Sequence, residues 1–316
     1  MHRQSYGVIG ALALMLGAAA PLRAETAAVV ETLPAQGIHY LGWSRFHYND
    51  LIGDGHDRWQ TGGLSLSVLA GADWTGRAPV APFSLWEFRL GGSVIAPQSL
   101  EHPAADDRRY VSRTELSARS YFEQAGWQAM VGFGVVGIGP DRLPGKVQDA
   151  LHDILDQPDP QAAQDQQLGN KVWPMVVAEL RYPVELSERT QLIPFVAGKS
   201  GDEDLLTAGA DLVFNAGHGE LWLRDDVLGR LYLGLGDTYA RATRFGLGAD
   251  VSHVGHSDLF PGETIAAEET RYRLRAFISH GWGWGHISYG ATWLSKEFTT
   301  QPEGQVVGDL RVDIRF

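Results

Sequence analysis

Polar and apolar residues alternate one by one along much of this chain, most clearly at its end. There Leu310, Val312, Ile314 and Phe316 interleave with Asp309, Arg311, Asp313 and Arg315, so a strand would send every apolar side chain to one face and every charge to the other. From Gly37 onward, segments of about ten residues with this period recur between turn-rich pieces. Strands are predicted over 37–48, 59–70, 84–95, 110–122, 127–137, 172–186, 190–198, 205–214, 230–241, 271–279, 285–294 and 305–316. An even set of about twelve, closing on an aromatic residue after strict alternation, predicts an all-β fold: an antiparallel transmembrane β-barrel with charges lining the interior and apolar side chains facing lipid. Trp43, Tyr48, Trp59, Trp282, Trp284 and Tyr289 are placed to form its interfacial girdles.

One stretch breaks the pattern. Pro144 suits a first helical position, Val147, Ala150, Leu151 and Ile154 repeat at helical spacing, and Pro158 ends the run, which predicts a short helix over 144–156. Gln148 and His152 are four residues apart and would share one face of it. A histidine near a helix C-terminus is also favourable for the helix dipole alone. Longer polar connections follow Ile95, Gly137, Asp225 and Asp250, and long loops belong on the outer side of a barrel. The helix is therefore expected in an extracellular loop.

Composition narrows the class further. His2 and Arg3, the apolar run from Val8 to Ala20, and the small residues up to Ala24 predict a secretory signal over 1–24, leaving one barrel domain over 25–316. The chain has no cysteine, so either a large packed core or a closed hydrogen-bonded sheet must hold it together outside the cytoplasm, and no later stretch is apolar and long enough for a membrane helix. A net charge of -12 argues against nucleic acid as a partner.

Candidate chemistry sits in a second stretch, from His47 to Leu64. Two strands of one hairpin bring Asn49, Asp50 and Thr61 near each other. Asp and Asn are ordinary turn residues, yet their oxygens also suit a hard cation such as calcium. No Gly-x-Ser-x-Gly elbow is present; Ser65, Ser67 and Ser112 remain as alternative nucleophiles.

Taken in order, three groups of residues resemble the outer-membrane lipid A 3′-O-deacylases. They are Asn49-Asp50, Asp57-Arg58 and Thr61 to Gly63; Gly134 to Gly137, Gln148, His152 and Asp165-Gln166-Gln167; and Ser295 to Phe298, Gln301, Gly304 and Gly308. The resemblance implies a calcium-dependent barrel enzyme of the bacterial outer membrane, acting as a monomer on lipid A among the lipids around it. It implies His152 as general base, Asn49, Thr61 and Gln148 as further catalytic residues, and Asp50 at the metal. The chain departs from the family at Ala163 and Gln164, where a tryptophan is usual, and after Ala96-Pro97, where His102, Arg108 and Arg109 replace a phosphate-binding lysine. The alternatives are a serine-dependent outer-membrane phospholipase and a non-enzymatic channel or structural barrel.

Overall fold

The computed structural model describes residues 37–142, 144–145, 160–236, 241–260, 265–283 and 285–314. The expected signal segment, Gln148, His152, Trp284 and Phe316 lie outside these residues. In chain order the strands are β1 (His39–Asn49), β2 (Trp59–Gly71), β3 (Leu85–Ala96), β4 (Val111–Gln124), β5 (Trp127–Ile138), β6 (Lys171–Arg181), β7 (Val184–Ser187), β8 (Thr190–Ser200), β9 (Glu203–Phe214), β10 (Leu221–Arg224), β11 (Leu231–Leu235), β12 (Thr243–Ser257), β13 (Thr270–Trp282), β14 (Gly285–Leu294) and β15 (Gln305–Ile314). A single-turn helix, α1 (Gln161–Gln164), precedes β6.

Antiparallel pairing runs from β6 back through β5, β4, β3, β2 and β1 to β15, and on through β14, β13, β12, β9 and β8. Pairing of β6 with β8 closes the ring, so twelve strands form the wall and β7 extends β6 beside β8. Burial along the strands is inverted relative to a water-soluble sheet. On β3, Glu87 and Arg89 are buried while Phe88 and Leu90 are 49% and 48% exposed. On β4, Arg113, Glu115 and Arg119 are buried and Leu116 is exposed. Such a wall is stable only when hydrocarbon surrounds it.

Tight turns at Ala125-Gly126 and at Gly283 mark the periplasmic end, which also carries the connection 72–84 and the insertion between β9 and β12, whereas long connections follow β1, β3, β5, β12 and β14 at the other, extracellular end.

Residues 230–241 do not form the expected wall strand. That place belongs to β12, whose Asp250 points inward from mid-strand instead of opening a loop. Part of the expected segment is β11, which pairs with β10 in a hairpin that leaves the periplasmic end of β9 and folds into the lumen. The Arg224 guanidinium lies 2.6 Å from Glu179 of β6 and 2.9 Å from Asp211 of β9, while Arg230 lies 2.6 Å from Asp309 of β15. Arg119 of β4 donates to Asp226 at the hairpin tip. Leu221, Leu223, Tyr232 and Leu235 pack against Leu69, Leu85 and Tyr121 of the wall. Both faces of the hairpin are buried, so its strands read as apolar runs that mimic wall strands in sequence.

Trp59 and Tyr48 are corrected as girdle residues. Trp59 is fully buried, Tyr48 is 3% exposed, and both point into the barrel. Trp59 joins Ile95, Phe260 and Phe298 in an apolar cluster beneath the extracellular mouth. Tyr289 does face outward, with 46% of its surface exposed.

Candidate active site

The extracellular end of the β1–β2 hairpin is shaped by a bulge. Asn49 faces Gly62 across the hairpin, and Trp59 faces Ala96 of β3, but the register slips by one residue between Trp59 and Gly62. Trp59 takes a left-handed φ of 52°, and Gln60 turns inward with it, donating from Nε2 to Glu297 at 3.1 Å. Thr61 is thereby buried, and its hydroxyl donates to Asp57. Bulges of this kind re-aim side chains at the rims of barrels.

Asp50 follows the last residue of β1, and its amide donates to the Thr61 carbonyl at 3.3 Å. Its carboxylate is wholly buried. One oxygen, Oδ2, accepts the Arg58 amide at 2.7 Å; the other, Oδ1, has no hydrogen-bond partner among the described residues. Burial pushes the Asp50 carboxyl up to about 8, the Arg58 amide pulls the other way, and the nearby Asp57 and Asp54 charges add to the rise. A buried carboxylate oxygen left without a donor is the kind of group a bound cation satisfies. Asn49 Oδ1 accepts the Leu51 amide at 2.7 Å, which fixes the side chain beside the turn.

The turn from Leu51 to Gly55 lies against β14 and β15. Tyr289 donates to the Ile52 carbonyl at 2.9 Å, and the amides of Asp54 and Val306 bond the Val306 carbonyl and Asp54 Oδ2 at 3.0 and 3.1 Å. Gly308 packs beneath: a Cβ there would lie 2.3 Å from the Ile52 carbonyl oxygen. Glu297 accepts from Gln60, and its amide donates to Gln301 at 2.7 Å. The last of the three sequence groups is thus the scaffold of the first.

Strand alternation puts Asn49 on the outer, lipid-facing side of the wall, between inward-pointing Tyr48 and the buried turn. The outward row at its level runs Asn49, Gly62, Val94, Ser112 across four strands, so Ser112 stands about 14 Å away. Here the β5–β6 connection is seated. Gly145 donates to Ser112 Oγ at 2.9 Å, and Pro144 covers Gly92, where a Cβ would come within 2.7 Å of its ring. After the stretch outside the described residues, Ala163 of α1 is buried among Val94, Ala96, Leu100 and Tyr110. Both described ends of the connection therefore rest on the outer face of β3 and β4, two and three strands from Asn49.

Asn49, Asp50 and Thr61 come together as expected. Pro144 and Gly145 have helical backbone, and the remainder of the expected helix, with Gln148 and His152, lies outside the described residues. Of the three basic candidates after Pro97, Arg108 is not available to a ligand, because it is buried against Phe260 and Phe298 and paired with Glu297. His102 and Arg109 are exposed. Sequence reasoning missed Ser112 as an anchor and Trp59 as the pivot of the bulge. A tryptophan at the mouth of a strand gives no signal of its backbone sign.

The family model described as outer membrane protein LpxR matches residues 11–211. Among solved structures, LpxR from Salmonella typhimurium has the same fold at a TM-score of 0.69, with 17% identity over 87% of this chain and all of that one. An outer-membrane channel from Pseudomonas putida F1 aligns at a TM-score of 0.46, with 12% identity over 93% of this chain and all of that one. The translocator domain of the autotransporter NalP from Neisseria meningitidis aligns at 0.42, with 10% identity over 99% of this chain and 98% of that one. No curated protein sequence matches.

Proposed function

Because the chain belongs to the LpxR family of outer-membrane proteins, we propose that it is a lipid A 3′-O-deacylase, a carboxylic ester hydrolase that removes the 3′-linked acyloxyacyl group from lipid A. The observation that carries this reading is the Asp50 carboxylate, wholly buried with one oxygen unsatisfied among the described residues, adjoining an Asn49 that faces lipid. A polar site opening sideways onto hydrocarbon suits a substrate that is itself a membrane lipid.

Asp50 is the residue assigned to hold calcium. Among the described residues no three acidic or imidazole side chains gather to hold a metal, so the other donors would be amide, carbonyl and water oxygens, which calcium accepts among its six to eight ligands. When bound, the cation supplies Lewis-acid stabilisation of the ester oxygen as it becomes negative. Asn49 orients that oxygen, and Thr61, tied to Asp57, holds the turn in place. His152 is assigned as general base and Gln148, four residues before it in the sequence, as the residue that orients the attacking water. Water oxygen bonds to the carbonyl carbon as its proton passes to the imidazole. The imidazolium then returns the proton to the sugar 3′ oxygen as the carbon–oxygen bond breaks.

Two rivals fare worse on specific observations. Ser67 is buried and donates to Glu87 at 2.6 Å, and Ser112 is engaged with Gly145, so neither is poised as the nucleophile of a phospholipase. A channel needs an open lumen, which the β10–β11 hairpin fills.

The test is hydrolysis of lipid A by the purified barrel in detergent. Release of one acyloxyacyl acid with calcium, and its loss on chelation, is expected. Turnover unaffected by thorough chelation removes calcium from the reaction.

A further inference from the structure

Below Asn49, the outer face of β1 carries two more polar side chains where hydrocarbon should be met. Arg45 and His47 are both exposed, alternating with the buried Ser44, Phe46 and Tyr48. Their cross-strand neighbours are apolar on both sides. Arg45 pairs with Leu66 of β2 and Val312 of β15, and His47 with Leu64 and Leu310. Leu66 and Leu310 are 39% and 41% exposed, as lipid-facing residues are. A charged side chain in such a band costs stability, so a bare lipid environment does not account for the stripe.

Asn49, His47 and Arg45 descend the wall two residues at a time. Each step is about 6.8 Å along the strand, or about 5 Å of depth once the barrel tilt is included. In a 3-acyloxyacyl chain, the carbonyl carbon of the second ester follows that of the first by four covalent bonds of about 1.5 Å each, a span of about 5 Å. The two spacings agree in depth, the lateral offset of the tilted strand being about the length of a side chain, and acyl chains descend from their headgroups in the same direction as the stripe.

We propose that His47, supported by Arg45, binds the second ester of the branched acyl chain while the first ester lies at Asn49, so that the stripe selects acyl chains oxygenated at their third carbon. This rests on the deacylase reading above. A neutral imidazole N–H donates to the second carbonyl oxygen, and Arg45, one step deeper, reaches the same ester from below with its several N–H groups. His47 is a specificity residue: it touches the substrate but not the bond that breaks.

The experiment compares two synthetic lipid A substrates in detergent, one with a 3-acyloxyacyl chain at the 3′ position and one with a plain acyl chain there. The unsubstituted protein is expected to favour the branched substrate in kcat/KM. In His47→Leu that preference falls about three- to tenfold, the loss of one or two neutral hydrogen bonds, and His47→Gln, which keeps an N–H donor, restores it. An unchanged preference in His47→Leu overturns the proposal. So does an equal loss on both substrates, which marks a merely structural role. If the unsubstituted protein cleaves neither substrate, the deacylase reading fails first and takes the proposal with it.

Discussion

At the scale of single residues, Asp50 bears the most weight. Burial pushes its carboxyl up to about 8, so its bare charge is disfavoured there and a bound cation would offset that cost. Asp50→Asn preserves the shape and the acceptor for the Arg58 amide while removing the charge. The expected result is a properly folded barrel whose calcium-supported hydrolysis falls by at least about 100-fold, the usual scale for losing the stabilisation of a developing oxyanion. Full activity in that variant would remove Asp50 from the site. Asn49, Asp50 and Thr61 are legible in the sequence because they flank one short hairpin, and any antiparallel register brings them close. That Asp50 rests on the Arg58 amide, and that Thr61 is taken up by Asp57, depends on the bulge at Gln60, which no local pattern announces. Arg108 shows the opposite failure: a basic residue in a long outer loop suggests a ligand contact, but three aromatic and acidic neighbours distant in sequence bury it.

Elements carry the next step, because the β5–β6 connection must be delivered to the right part of the wall. Gly92 and Ser112 are its seat. Placing a larger side chain at Gly92 on the outer face forces Pro144 away, since even a Cβ would come within 2.7 Å of its ring. Gly92→Val is therefore expected to lower hydrolysis at least about tenfold while the wall keeps its thermal stability, because only the exterior contact is lost. Activity equal to the unsubstituted protein would mean that the connection is positioned elsewhere. Most wall strands are legible within a residue or two at their ends, since a period of two with one face in lipid and the other in a charged lumen leaves no other arrangement. The failure falls on 230–241 for a physical reason. A hairpin buried on both faces is apolar on both faces, and its Leu231, Tyr232 and Leu233 resemble a strand of the wall.

At the scale of the whole molecule, the lumen is closed by that hairpin below and by the cluster of Trp59, Phe260 and Phe298 above. Arginine–carboxylate pairs fasten the hairpin to β4, β6, β9 and β15, so the plug is held from several sides at once. The intact barrel is expected not to conduct in a planar bilayer, whereas replacing residues 217–240 by a short turn is expected to give ion-conducting openings. Steady conductance by the intact protein would contradict the sealed lumen and revive the channel reading. A sealed lumen also leaves the outer wall, where Asn49 meets the membrane, as the place for the proposed hydrolysis. Mass spectrometry of lipid A from cells making this protein, beside cells making its His152→Ala variant, tests the central claim most directly. Loss of one 3′-linked acyloxyacyl unit only in the presence of the unsubstituted chain is the predicted result; identical lipid A in both would contradict it.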